Sequence, residues 1–394
     1  MIPVLYDKHY LVNHPYIYDY SFRASQLETD GYGALVDCDS CTVREERNGE
    51  YELKLKYLPF GKNFEYIEAG CVVLAVPAPH KDPQPFRIHT VTKNLNGSID
   101  VEANHISYDL LYEVCGAFSA VGVQQAMTQL KNSIIYTYGG TSFSTKKTLF
   151  NFWTDKTDDT LYAVPASDPW PARKVLLGTE GSILDVYGGE YEFDKNTVKL
   201  HEARGKNRGV VVEYGKNLTS FTSETSYQNV YDVVIPWLKY EVEEQEWHYI
   251  ADPVTAADVG ITSATPLYWA TKALDCSEKI KDPQKKTEAQ LETALRNLGI
   301  KWLKQNKAGQ MKQNLNVNLI LLSDTEQFKS ISNLEEVNLC DTVTIRHGKF
   351  GITATAKVIE TEYDALNERY KKVVIGTAKQ KFASTISLIK NREA

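Results

Sequence analysis

Cys38-Asp-Ser-Cys-Thr-Val-Arg-Glu-Glu-Arg-Asn-Gly-Glu-Tyr-Glu-Leu-Lys-Leu-Lys-Tyr57 reads as two strands joined by a tight turn. Asn48-Gly49 sits at the tip, and Asn-Gly best tolerates the positive φ that a type I′ turn demands at both central positions. After it, Tyr51, Leu53, Leu55 and Tyr57 alternate with Glu50, Glu52, Lys54 and Lys56. That period of two gives one face to a core and one to water. Tyr51, Leu53, Leu55 and Tyr57 are the expected hairpin core, and Asn48 and Gly49 the expected turn positions. Phe86–Lys93, Asn96-Gly97 and Ser98–Ala103 repeat the device, with Asn96 and Gly97 as its turn positions. Between the two hairpins, Ala69–Val76 is a continuous apolar run, as in a strand buried on both faces. Two hairpins and a buried strand so close together point to a barrel or sandwich.

The chain has 394 residues, more than one core supports, since single cores stop growing near ~250–300 residues. Twenty-four Tyr suit half-buried sheets and interfaces, because Tyr packs a ring while keeping its hydroxyl wet. The net charge of −7 argues against a basic nucleic-acid groove. The six Cys, at 38, 41, 71, 115, 276 and 340, are too scattered for a disulfide framework and read as reduced thiols. No apolar run reaches the ~18–20 residues that span a bilayer, and the N-terminus lacks the pattern of a signal peptide.

Four regions follow one another. Residues 1–115 read as β, with Leu5-Tyr6 and Ile17–Phe22 as further short strands. Residues 116–205 form a small α+β module. It holds a helix over Val121–Ile134 with Val123, Met127, Leu130 and Ile134 on one face, a turn of helix at Ser182–Tyr187, and a hairpin around Lys195-Asn196. Residues 206–310 are mixed, with strands at Gly209–Tyr214 and Val230–Trp237 and a long helix over 287–305. That helix carries an apolar stripe of Leu291, Leu295, Leu298 and Trp302 and a capping box from Thr287 to Gln290. Residues 311–394 return to β, with strands at Asp341–Ile345, Thr353–Ile359 and Arg369–Ile375.

Reactive constellations are not evident. Cys38-x-x-Cys41 has no second pair to complete a zinc site and precedes a strand, whereas a redox pair opens a helix. His89 and His105 are placed to face each other across the second hairpin. No His-Glu-x-x-His, Gly-x-Ser-x-Gly or phosphate-loop pattern occurs.

Ser40–Leu53, Gln84–Ile88, His105–Asp109, Gly181–Tyr191 and Arg208–Leu218 together resemble the tail-hub proteins of bacteriophages. This family is called prophage endopeptidase tail protein, or the N-terminal hub region of tail-associated lysins. Asp341–Ile345 and Glu362–Tyr370 are similar to its final hairpin. The resemblance implies a multidomain, mainly β fold like the baseplate hub of contractile tails: two tail-tube-like β-barrel domains plus two smaller α+β domains. It implies a homotrimer at the virion tail tip, made in the bacterial host cytoplasm. That trimer docks on the distal tail protein ring, meets the tape-measure protein and peripheral baseplate or receptor-binding proteins, and opens for DNA. The family name promises an endopeptidase, but such activity belongs to a C-terminal extension and this chain stops at Ala394. The expectation is a structural protein without catalytic residue, cofactor or metal. The alternatives are a cell-wall hydrolase using Cys115 with a His, and a saccharide binder stacking sugars on Trp153, Trp170 or Trp237.

Overall fold

The computed structural model describes residues 1–8, 31–137, 143–145, 148–164, 169–213, 218–226, 230–260, 270–277, 279–280, 282–306, 312–319, 337–347 and 352–376. The expected strand at Ile17–Phe22 lies outside them. The chain forms two compact units, Met1–Thr222 with Leu315–Ala394, and Ser223–Asn314. The regions 1–115 and 116–205 fall within the first unit.

The first hairpin is the hinge of the larger unit's main sheet. Strand Cys38–Glu46 pairs with Tyr51–Tyr57 on one edge, Val43 facing Leu53. On its other edge it pairs with Ile352–Asp364 from the end of the chain, Val43 facing Tyr363. Outward from Tyr51–Tyr57 come Ile99–His105, Gln84–Lys93, Val72–Ala75 and Val4–Tyr6, all antiparallel. Outward from Ile352–Asp364 come Arg369–Gly376 and Thr342–His347, and the latter pairs in parallel with Asn207–Glu213. The first and last β regions thus share one sheet, where the resemblance implied two barrel domains. Strand Cys38–Glu46 offers two hydrogen-bonding edges, and its turn partner uses only one. No closed barrel is found among the described residues.

Tyr51, Leu53, Leu55 and Tyr57 are all buried on one face of the sheet, while Glu52, Lys54 and Lys56 point away. At roughly 25 cal/mol per Å² of apolar surface, burying such side chains stabilises by about 1.5–3 kcal/mol each. The turns differ from type I′. Gly49 N–H donates to Glu46 O at 3.2 Å, so the turn spans Glu46–Gly49, and Asn48 alone of the pair has a left-handed φ, 55°. In the second hairpin Gly97 N–H donates to Asn94 O at 2.9 Å, and Gly97 alone is left-handed. Each loop spans more residues than the Asn-Gly pair, which relieves the need for two positive φ angles.

Around this sheet lies the α+β portion. A helix runs Val123–Asn132 with Val123, Ala126, Met127 and Leu130 buried; Ile134 belongs to the following strand. Strands Glu190–Asp194 and Thr197–His201 form a hairpin that Asn151–Thr154 joins in parallel. In the smaller unit, strand Val233–Val242 is flanked by Gln245–Ile250, Val254–Thr255 and Thr271–Asp275. The helix Glu288–Gln305 packs there through Leu291, Leu295 and Leu303. Its N-cap Thr287 and Gln290 form a capping box, which satisfies two of the helix's free N–H groups reciprocally.

Candidate functional site

The hairpin tip does more than reverse the chain. Its left-handed backbone aims the Asn48 amide at strand Glu190–Asp194. Nδ2 donates to Gly189 O at 2.9 Å, and Oδ1 accepts from Tyr191 N–H at 2.7 Å. The side chain mimics a peptide group and extends that strand's pairing sideways. Between the two contacts, Glu190 turns into the protein. Its Oε1 accepts from Lys357 Nζ at 2.6 Å and from Arg47 Nη1 at 3.4 Å, and its Oε2 accepts from Arg204 N–H at 2.9 Å. Burial pushes the Glu190 carboxyl up, but Lys357, the Arg204 N–H and Arg47 outweigh it and hold the group below the usual range.

Arg204 is the centre of the next layer. Its Nη1 donates to Glu45 Oε1 at 2.7 Å and to Tyr191 O at 3.0 Å. Burial opposes its charge, yet Glu45 raises its affinity for the proton. One residue on, Gly205 runs so close to the last β region that a Cβ there would stand 1.9 Å from Cys340 O. Asp341 then accepts from Lys206 N–H at 2.7 Å, Asn338 N–H at 2.9 Å and Arg208 Nε at 2.9 Å. A cavity of about 230 Å³ lies among these groups, with Glu45, Tyr51, Gln84, Asp194, Arg204 and Asp341 on its wall.

Beside it, His201 sits between two acids, Nε2 3.0 Å from Glu192 and Nδ1 3.3 Å from Asp155. The Glu192 hydrogen bond raises the His201 pKa, and the same bond lowers Glu192 to about 2. An ion pair in this geometry holds strands Asn151–Thr154, Glu190–Asp194 and Thr197–His201 together.

This joint ties three distant segments: the first hairpin, residues 189–208 and residues 338–357. Its groups hold one another and present no activated nucleophile. The thiols argue the same way. Cys115 is buried and its pKa is pushed up to about 12 by burial, then by Glu113. Cys38 donates to Ser40 O at 3.2 Å and is likewise pushed up to about 12 by burial. A bulge between Cys38 and Ser40 lets Cys38 pack against the core that contains Cys41, and both are free thiols. Among the described residues no group of His, Cys, Asp and Glu could hold a metal ion.

His89 and His105 do not face each other. The turn sets Thr90 opposite Glu102, a register in which His105 would face Arg87, and a bulge at His89 then moves it opposite Phe86. It is buried, stacks on Tyr51 at 4.5 Å, and falls to a pKa of about 3 through burial and then Arg173. Trp153 is half exposed near His201, Trp170 carries Lys174 Nζ 4.5 Å above its ring, and Trp237 of the smaller unit stacks near His248. The Asn48 clamp and Arg204 were not singled out from the sequence; a left-handed Asn is the one local feature that hinted at a special tip.

The architecture that carries this joint is that of prophage tail proteins. Prophage tail protein gp18 from Listeria monocytogenes EGD-e matches with a TM-score of 0.56 over 100% of both chains, at 13% sequence identity. The 43 kDa tail protein of prophage MuSo2 from Shewanella oneidensis matches at 0.50, over 87% of this chain and 94% of that one, at 10% identity. The tail protein from Neisseria meningitidis MC58 matches at 0.51, over 86% and 92%, at 8% identity. No protein-family profile and no curated protein matches the sequence. At these identities the likeness is one of fold alone.

Proposed function

We propose that this chain is a structural component of a phage or prophage tail tip: a homotrimeric hub that docks on the distal tail protein ring and opens for DNA. The observation that carries the reading is the match to a prophage tail protein over the whole of both chains. The open sheet supports it. Hairpins 38–57 and 84–105 form one half and strands 342–376 the other, joined where Thr42 faces Asp364. Three such chains would close by symmetry the tube that one chain leaves open.

The outward sheet face suits passing DNA. Arg44 is tied to Glu46, Glu50 and Glu360, Lys54 lies 3.7 Å from Glu102 and Lys56 lies 3.9 Å from Asp39. Cations engaged this way are poor phosphate ligands, so DNA would not be held. The buried joint supplies stiffness, and nothing in it calls for a reaction.

Electron microscopy of particles labelled with an antibody against the chain tests the reading. Label at the tail tip is expected. Label elsewhere on the particle, or particles without the chain, refutes it.

A further inference from the structure

We propose that Asn96, activated by Ser98, is a site of spontaneous covalent modification that converts to aspartate and isoaspartate through a succinimide, and that the joint shields Asn48 from the same chemistry. The chain has two Asn-Gly pairs, Asn48-Gly49 and Asn96-Gly97, each at a hairpin tip. Asn before Gly suits this reaction because Gly carries no side chain to hinder attack by its own nitrogen. In the sequence the two pairs are equivalent. In the fold their carboxamides are held in different ways.

At Asn96 the surroundings favour reaction. Asn96 and Gly97 are exposed, so water and hydroxide reach them. Asn96 Oδ1 accepts from Ser98 N–H at 3.1 Å and from the Ser98 hydroxyl at 2.8 Å. These bonds fold the side chain forward over the Gly97 peptide, toward the nitrogen that attacks. They also polarise the carbonyl and remain on its oxygen as negative charge gathers there, as donors do in an oxyanion hole. Ser98 is buried, and Asn94 Nδ2 donates to its Oγ at 3.2 Å, so the donors are fixed in place. Asn96 Nδ2, the group that leaves, makes no hydrogen bond among the described residues.

The steps balance with water and hydroxide alone. The Gly97 N–H gives its proton to hydroxide, its nitrogen bonds to Asn96 Cγ, and the Cγ–Nδ2 bond breaks. Ammonia leaves with a proton taken from water. Water then opens the succinimide at one carbonyl to give aspartate, or at the other to give isoaspartate, in which the chain runs through the side-chain carbon. In sum, a carboxamide and water become a carboxylate and ammonium, and nothing is oxidised or reduced.

At Asn48 both ends of the carboxamide are engaged across the joint. Nδ2 donates to Gly189 O and Oδ1 accepts from Tyr191 N–H, which draws the side chain toward strand Glu190–Asp194 and away from Gly49. The pair is half-buried, and the Glu46 side chain lies over Gly49, where a Cβ would stand 2.8 Å from Glu46 Oε2. The turn bonds do not separate the two sites, since Gly97 N–H donates to Asn94 O at 2.9 Å and Gly49 N–H to Glu46 O at 3.2 Å. What separates them is that Asn48 must break two long-range bonds before it can react, whereas Asn96 bonds only to its own neighbour. The shielding matters: a carboxylate at position 48 would turn an oxygen toward Gly189 O and unfasten the hairpin from the joint.

Purified chain held at mildly alkaline pH, folded or in urea, tests this by peptide mass mapping and enzymatic methylation of isoaspartate. In urea both pairs should convert at similar rates. In the folded chain Asn96 should convert at a rate comparable to that in urea, whereas Asn48 should be at least about tenfold slower, the factor that a lost hydrogen bond in a part-buried place corresponds to. Ser98→Ala should slow Asn96 by about two- to tenfold in the folded chain, one hydrogen bond's contribution, and leave its rate in urea unchanged. Equal rates for the two pairs in the folded chain, an Asn96 that stays intact when folded while converting in urea, or a folded Ser98→Ala chain that reacts at the wild-type rate overturns the proposal. The wild-type comparison decides the matter whether or not the variant folds.

Discussion

Asn48 and Tyr191 are separated by 143 positions, yet the Asn48 side-chain oxygen accepts the Tyr191 backbone N–H at 2.7 Å. With the second bond from Nδ2 to Gly189 O, one side chain fastens the first hairpin to the α+β portion. Asn48→Gly keeps the left-handed φ and removes only these bonds. It should cost about 1–3 kcal/mol, because Tyr191 N–H and Gly189 O lose their partner in a part-buried place. Asn48→Ala should cost about 1–2 kcal/mol more, the penalty of a left-handed Ala. Urea denaturation measures both, and wild-type stability of Asn48→Gly would count against the clamp.

Gly205 lies against the last β region with no room for a side chain. A Cβ there would lie 1.9 Å from Cys340 O and 2.0 Å from its carbonyl carbon, and neither is a flexible side-chain end. Gly205→Ala must therefore part the two backbones and disturb the adjacent Arg208–Asp341 pair. A loss of at least about 3 kcal/mol is expected, at or beyond the upper end for overpacking. Calorimetry decides the matter; a shift of less than a degree or two would mean the approach is not a constraint.

The joint also sets a pH dependence. The folded His201 pKa is raised, so its contribution is fully present below its unfolded value near 6.5 and is lost as pH rises through the folded value. Glu192, at about 2 when folded, behaves oppositely: its contribution is present above the unfolded carboxylate range and lost as pH falls toward 2. His201→Gln removes the charge from both hydrogen bonds and should cost about 2 kcal/mol at pH 5–6, shrinking at alkaline pH. Thermal melts of the two proteins from pH 5 to 9 should converge as pH rises. Parallel curves would show that folding leaves the His201 pKa unchanged.

Local pattern and distant partner divide what the sequence reveals. The alternation from Tyr51 to Tyr57 is a local signal, and the face it specifies is buried. Thr287 and Gln290 likewise sit three residues apart and cap a helix. The pairing of Val43 with Tyr363 is different: a strand's free edge carries no mark of which other strand will take it, so the union of the first and last β regions in one sheet is not legible in the sequence. Bulges have the same effect on a smaller scale. A single extra residue between Ile88 and Thr90 sets His105 opposite Phe86. Arg204 and Glu45, 2.7 Å apart, look in the sequence like two more solvated charges. Only the fold shows that Glu45 is buried, that Arg204 is largely covered, and that the two face each other.

Arg204 and Glu45 lead to the last prediction. Side-chain exposures of 13% and 9% place this pair out of water, where breaking one partner is far costlier than losing a surface bridge. Glu45→Gln leaves the Arg204 guanidinium buried against Tyr191 O without its counter-charge, and should cost about 3–5 kcal/mol. Replacing both together, Glu45→Leu with Arg204→Met, removes the two charges at similar volume and should recover most of that loss. A double-mutant cycle by denaturant titration reads the difference. If the joint serves only as stiffening for a tail hub, the double variant should also enter particles at the wild-type level. Its exclusion despite recovered stability would show that the charges themselves, and the cavity they line, are used in assembly.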